Sequence, residues 1–210
     1  MNIPLSRQSC ETFMDMLASK EPIPGGGGAA AMAGSMAAAL CSMVGNLTIG
    51  RKRYEAVEAD IRRILHQAGT LQTRFLELVD EDARAFFPLS QAYAIPKDNP
   101  LRAKALEKAS LEACRPPMDM MRTCCETIEL LEELLDKGNA ALISDVGCGA
   151  LLCRAALESA HMNVWINTSS LSDRGDAARL EHEADTLLDC YSSRAGAVAS
   201  EVSRRLRKEV

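Results

Sequence analysis

Aromatic residues are scarce in this chain: one Trp, three Tyr and four Phe in 210 residues, 4% of the total. The core must be built from Ala, Leu and Met instead, residues that favour helices. Period-two runs of β-branched and aromatic residues are absent, which removes the sheet classes. There are eight cysteines but no Cys-x-x-Cys pair, and no Cys/His group has the spacing of a metal site. The cysteines fall largely on apolar helical faces, where a free thiol acts as a small hydrophobe. They suit a reducing compartment, so a cytoplasmic location is expected. Motifs for a nucleophilic serine or cysteine are missing as well. His66, His161 and His182 read as surface or structural groups.

Positive charge is thinly spread. The net charge is −5, and only RKR at 51–53 and RRLRK at 204–208 cluster. Neither cluster is interleaved with aromatics, so no nucleic-acid partner is expected. The second cluster complements the negative end of a helix dipole. Apolar residues make up 47% of the chain, enough for the core of one domain over residues 1–210.

Charge is absent altogether from Pro22 to Gly50, and four glycines, Gly25, Gly26, Gly27 and Gly28, stand near the start of that stretch. Glycine allows a backbone to approach another surface closely. The helix that follows is mostly Ala, Gly and Ser, with Ala30, Gly34 and Ala38 in small-xxx-small spacing, so neighbouring helices should come very near. A glycine loop feeding a helix also presents free N–H groups and a positive dipole. Length and basic flanks permit a membrane span here. The weakly apolar composition and the polar Asn46 and Thr48 argue for a buried soluble helix and against a membrane partner. No basic n-region precedes the run, so a signal peptide is not expected.

Helical periodicity continues from end to end, and the fold class is all-α, an antiparallel bundle of long helices. A short helix is expected over 6–19 with Ser6 or Ser9 as cap. A long one from Tyr54 to Ala94 carries the stripe Val57, Ile61, Ile64, Ala68, Leu71, Phe75, Leu78, Asp82, Ala85, Leu89 and Ala92. Helix resumes at Leu101, and Pro116–Pro117 should break or kink it. Gly138 ends the segment after that. Ser144 or Asp145 should cap a largely apolar helix to His161, with the run from Asn163 to Ser170 irregular. A terminal helix then starts at Ser172 or Asp173, with Ala177, Leu180, Ala184, Leu187, Tyr191, Val198, Val202 and Leu206 inward.

Asp82 is the odd member of its stripe. A buried carboxylate without a partner costs several kcal/mol, so Asp82 is either solvated beside Asp80 and Glu81, or else paired, protonated or lining a polar cavity. Periodicity leaves both open.

Four segments together resemble one family. PGGGGAAAMAGSMAAALCSMVGNLTIGRKRY (24–54), LVDEDARAF (78–86) with IPK (95–97), GNAALISDVGCGALLCRAALESAHMNVWIN (138–167) and SLSD (170–173) are similar, in order and spacing, to the formiminotransferase-cyclodeaminase C-terminal family. Four positions depart from its pattern: Gly28 stands where serine is commoner, Arg51 and Arg53 where lysines are, and Thr168 where leucine is.

The resemblance implies a helical homodimer acting on a reduced folate, with no metal and no cofactor beyond the tetrahydrofolate substrate. Its activity would be that of a methenyltetrahydrofolate cyclohydrolase or a formiminotetrahydrofolate cyclodeaminase. A folate-binding module without turnover is the alternative. Either reaction needs one group to take a proton and one to protonate a departing nitrogen. Asp82 is assigned as that carboxylate, with Lys97 and Lys52 orienting it or gripping the substrate's glutamate. Gly25–Gly28 would admit the ligand to the backbone, while Asn46, Asn163 and Asn167 supply amides to a pterin edge. Tyr54 could stack on the ligand, and Asp145 could be a second carboxylate, though a packed aromatic and a helix cap explain them equally.

Overall fold

The structure is a computed structural model, and it describes residues 3–207. Lys208, the last of the basic cluster, lies outside them. Six α-helices occur among the described residues, with no strand: α1 (Cys10–Leu17), α2 (Gly26–Asn46), α3 (Glu58–Ala94), α4 (Arg102–Lys137), α5 (Ile143–Thr168) and α6 (Arg174–Arg207). Helices α2 to α5 form an up-down-up-down bundle in which α4 touches each of the other three, and α6 packs along α4 and α5.

The small residues of α2 explain its central place. A Cβ on Gly34 would fall 2.6 Å from Phe75 Cζ, and one on Gly45 would fall 2.8 Å from Leu65. So α3 lies against α2 with almost no side chain between them. Ala37, Ala38, Cys41 and Val44 of the same helix are fully buried. Both α2 and the Ala140–Thr168 stretch are long and apolar enough to cross a membrane, but over half of α2 is buried inside the protein.

The α3 stripe runs inward as its period demands: Ile61, Ile64, Ala68, Leu71, Phe75 and Leu78 are buried. Past Asp82, α3 and the start of α4 run on beyond the first turn of α2 as a two-helix prong. Leu89, Ala92, Ala109 and Ala113 hold the prong together in a small separate cluster.

Several local expectations need correction. The chain enters α3 through a 3-10 turn at Lys52–Val57 rather than as α-helix from Tyr54. Helix α1 is shorter than expected, with Ser9 alone capping it, its Oγ accepting from Thr12 N–H at 3.1 Å. Pro116 and Pro117 do not break α4, which continues from Arg102 to Lys137 with both prolines buried. Helix α5 runs on through Asn163 to Thr168, so that run is not irregular. Neither Ser144 nor Asp145 caps α5; both lie inside its first turn, after a 3-10 turn capped by Asn139. Leu206, expected inward, is 55% exposed. Gly138 does end α4, but at φ −75° rather than in the left-handed region.

Candidate active site

Asp82 settles at the start of α2. Its carboxylate lies against the first turn of that helix, close to Gly27, where the Gly28 N–H lowers its pKa; a helix start leaves four such N–H groups without internal partners. No side chain from the preceding loop caps α2; Gly25 stands at the cap position without one. The carboxylate facing that start comes across the bundle from α3, and its approach needs glycine: a Cβ on Gly27 would lie 2.6 Å from Asp82 Cγ. The glycine run and the carboxylate in the apolar stripe are therefore two sides of one contact. Asp82 faces the first turn of α2 and lines a cleft, which favours the polar cavity over the solvated alternative. Burial pushes its carboxyl up to about 6, and the Gly28 N–H pulls the other way.

Around this contact lies a cleft of about 200 Å³, lined by Gly25, Gly26, Gly27, Asp82, Asn163, Asn167 and apolar groups including Phe86, Leu89, Tyr93 and Ile166. Pockets for whole drug-sized ligands run about 300–1,000 Å³, so this one admits a small ring system and leaves the rest of a larger ligand outside. At the rim, the Tyr93 hydroxyl lies 3.1 Å from Ser170 Oγ, bridging α3 and the α5–α6 turn. Larger hollows elsewhere, such as the 880 Å³ groove beside His66 and Arg74, contain no group held as Asp82 is.

The residues expected at a site divide between two ends of the bundle. Gly25, Gly26, Gly27, Asp82, Asn163 and Asn167 meet in the cleft, and Gly28 contributes its N–H from behind. Asn46, at the other end of α2, and Lys52 and Tyr54 just past it, lie about 30 Å away at 1.5 Å per residue. There the Tyr54 hydroxyl lies 3.4 Å from Asn139 Oδ1 and accepts from Ala140 N–H at 3.0 Å, while Asn139 N–H donates to Thr48 Oγ1 at 2.9 Å. Tyr54 is thus a packing residue of that corner. Asp145 sits in the first turn of α5, at the end of that helix opposite Asn163. Lys97 is exposed in the loop after α3 and does not reach Asp82. Within one chain, no lysine orients Asp82; the helix start does.

Phe86, Leu89 and Tyr93 are cleft residues that the sequence did not mark as such, although Leu89 belongs to the apolar stripe. Their signal was present, because 82, 86, 89 and 93 step along one face of α3. Among the described residues no group of three His, Cys, Asp or Glu could hold a metal ion.

Comparison with known proteins matches residues 9–186 to the family described as formiminotransferase-cyclodeaminase. The methenyltetrahydrofolate cyclohydrolase of Methylorubrum extorquens is 39% identical over 207 residues, which is 97% of this chain and 98% of that protein. The formimidoyltransferase-cyclodeaminase of Sus scrofa is 32% identical over 205 residues, 96% of this chain but only 38% of that longer protein. Among solved structures, a formiminotetrahydrofolate cyclodeaminase from Thermotoga maritima superposes with a TM-score of 0.85 at 30% identity, covering 97% of this chain and 98% of that one.

Proposed function

The chain belongs to the formiminotransferase-cyclodeaminase family, and we propose that it is a folate one-carbon enzyme acting on the carbon that bridges N5 and N10, as a methenyltetrahydrofolate cyclohydrolase. The observation that carries this reading is Asp82, a carboxyl pushed up to about 6 and aimed into a ring-sized cleft. Near neutral pH it holds mostly its ionised form yet is readily protonated, which suits a group that must both accept and return a proton. In the reaction, water attacks the cationic methenyl carbon and gives one proton to Asp82. The tetrahedral adduct then collapses to the formyl group, the C–N5 bond breaks, and N5 takes the proton from Asp82. The second proton of the water is released. No metal or further cofactor is called on. Ionised Asp82 also lies where it would favour the cationic substrate. The serine absent at position 28 costs this arrangement nothing, because Gly28 serves through its backbone N–H.

The similarity to the Thermotoga maritima cyclodeaminase favours a second reading, in which N10 attacks a formimino carbon and ammonia leaves. Absorbance of the methenyl group separates the two. Loss of a supplied methenyl signal supports the hydrolase, and its appearance from formimino substrate supports the deaminase. Folate-induced protection against melting with neither change would leave only a binding module.

We also infer a cytoplasmic homodimer. All eight cysteines are free thiols, as a reducing compartment requires. Met36 on α2 and Leu47 just past its end, with Leu151, Met162 and Ile166 on α5, are 42–70% exposed, an unpartnered apolar face along two adjacent antiparallel helices. A second copy turned about a twofold axis through that face would cover it. Such a copy would also carry its own Lys52 end toward the Asp82 cleft. Lys52 keeps its proposed role in this way, acting across the interface. Mixed and refolded Asp82→Asn and Lys52→Met proteins, each inactive alone, are then expected to recover up to about one quarter of wild-type activity, through mixed dimers with one intact site. A monomer in sedimentation, or no recovery, would overturn this.

A further inference from the structure

An α-helical N–H bonds the carbonyl four residues earlier. Pro117 has no N–H, so it leaves the Ala113 carbonyl of α4 without its partner. Ala113 is buried and lines the cleft, so no helix neighbour and little water can serve that oxygen. The side chain of Asn167, from α5, fills the vacancy: its Nδ2 donates to Ala113 O at 2.8 Å. A carbonyl can only accept, which fixes the orientation of the amide. Asn167 must present its NH2 to α4 and its Oδ1 elsewhere. Asn163 is set in the same way, with Nδ2 donating to Ser159 O at 2.8 Å. Neither Oδ1 has a hydrogen-bond partner among the described residues, and both side chains line the cleft.

The side chains that α5 contributes beside Asp82 therefore present acceptors to the cleft. We propose that Pro117 is a positioning residue for the site: by withholding one N–H it commits the Asn167 nitrogen to Ala113 and makes Asn167 Oδ1 an obligate acceptor for an N–H or NH2 edge of the bound ring. The proposal rests on the cleft being the folate site, and it narrows the ligand edge to one rich in donors, as the pyrimidine side of a reduced pterin is. It also gives the proline pair in α4 a purpose that chain geometry alone does not. With Ala at 117, the backbone N–H would return to Ala113, and the Asn167 amide would be free to rotate or to turn its nitrogen inward.

The test compares Pro117→Ala, Asn167→Ala, the double variant and Pro116→Ala. Pro116 is the control, because the carbonyl it leaves unpaired belongs to exposed Glu112 on the far flank of α4. With whichever folate the wild type converts, Pro117→Ala is expected to raise KM about 3- to 10-fold, the worth of one neutral hydrogen bond, with kcat within twofold. Asn167→Ala should do at least as much, and the double variant should be no worse than Asn167→Ala alone. Pro116→Ala should leave KM unchanged. A folded Pro117→Ala protein with wild-type KM, or additive effects in the double variant, would overturn the proposal. A second readout needs no substrate: the 15N-labelled side-chain amide of Asn167 should be protected from exchange in the wild type and lose protection in Pro117→Ala. Equal protection would overturn the positioning role even if no folate is converted. Protection lost without folate turnover would place the failure in the assigned function instead.

Discussion

Asp82→Asn is expected to lower turnover by about 10²–10⁴, the range for removal of an acid–base group, while folate affinity changes far less. The amide keeps the shape and still faces the Gly28 N–H but cannot carry a proton. The same substitution should stabilise the protein at neutral and alkaline pH. The folded-state carboxyl sits at about 6, above its unfolded value, so the folded form binds the proton more tightly. Its favourable contribution is complete below the unfolded value, near 4, and is lost as pH rises through about 6. Above that, the ionised, half-buried Asp82 is a burden of up to about 3 kcal/mol, from two pKa units at 1.36 kcal/mol each. Asn carries no such burden. Melting temperature against pH should therefore show the variant ahead of wild type at pH 8, with the gap closing by pH 4. In the wild type, kcat/KM should fall as pH drops through about 6, because the base is then protonated. A variant with near-normal turnover, or one less stable than wild type at pH 8, would remove Asp82 from this role.

The opposition between stability and turnover at Asp82 also explains which parts of the site were visible in the sequence. A carboxylate in the stripe from Val57 to Ala92 breaks a pattern that hydrophobic burial otherwise enforces, and a break of that kind can be read directly from spacing. The helices were visible for the same reason: α3, α4 and α6 each bury one face and wet the other. What spacing does not carry is which end of a helix meets which. Asn46 and Asn163 look alike in sequence, each a polar break in an apolar run. Only the antiparallel packing of α2 and α5 puts Asn163 beside Gly26 and leaves Asn46 at the far end. The continuity of α4 through its proline pair is hidden on equally local grounds. An interior proline is costly to an isolated helix, but the donor that compensates it here, Asn167, is 50 residues further along the chain. Likewise the carboxylate facing the start of α2 is invisible from that helix's own loop, since it comes from α3.

Gly26 and Gly27 are adjacent and equally permissive in sequence, yet their replacement by Ala should have opposite consequences. At Gly27 the added Cβ would overlap the Asp82 carboxylate, with Cγ and Oδ2 both at 2.6 Å. The backbone there belongs to the first turn of the central helix and cannot retreat, so the carboxylate is expected to leave. Turnover should fall nearly as far as in Asp82→Asn, and the double variant Gly27→Ala with Asp82→Asn should be no worse than Asp82→Asn alone. Stability should change by only about 1–2 kcal/mol. Overpacking and the lost Gly28 contact act against the better helix propensity of Ala and the release of a buried charge. At Gly26 the Cβ would meet only Asn163 Nδ2 at 3.6 Å, an ordinary contact. Gly26→Ala is thus expected to keep turnover within a few-fold of wild type and to gain about 0.4–1 kcal/mol from the smaller entropy of its unfolded chain. Turnover per folded protein, measured beside a denaturant melt for both variants, decides the matter. Normal activity in Gly27→Ala would mean that the carboxylate works from some other position, and the link drawn here between the glycine run and the acid–base group would fall.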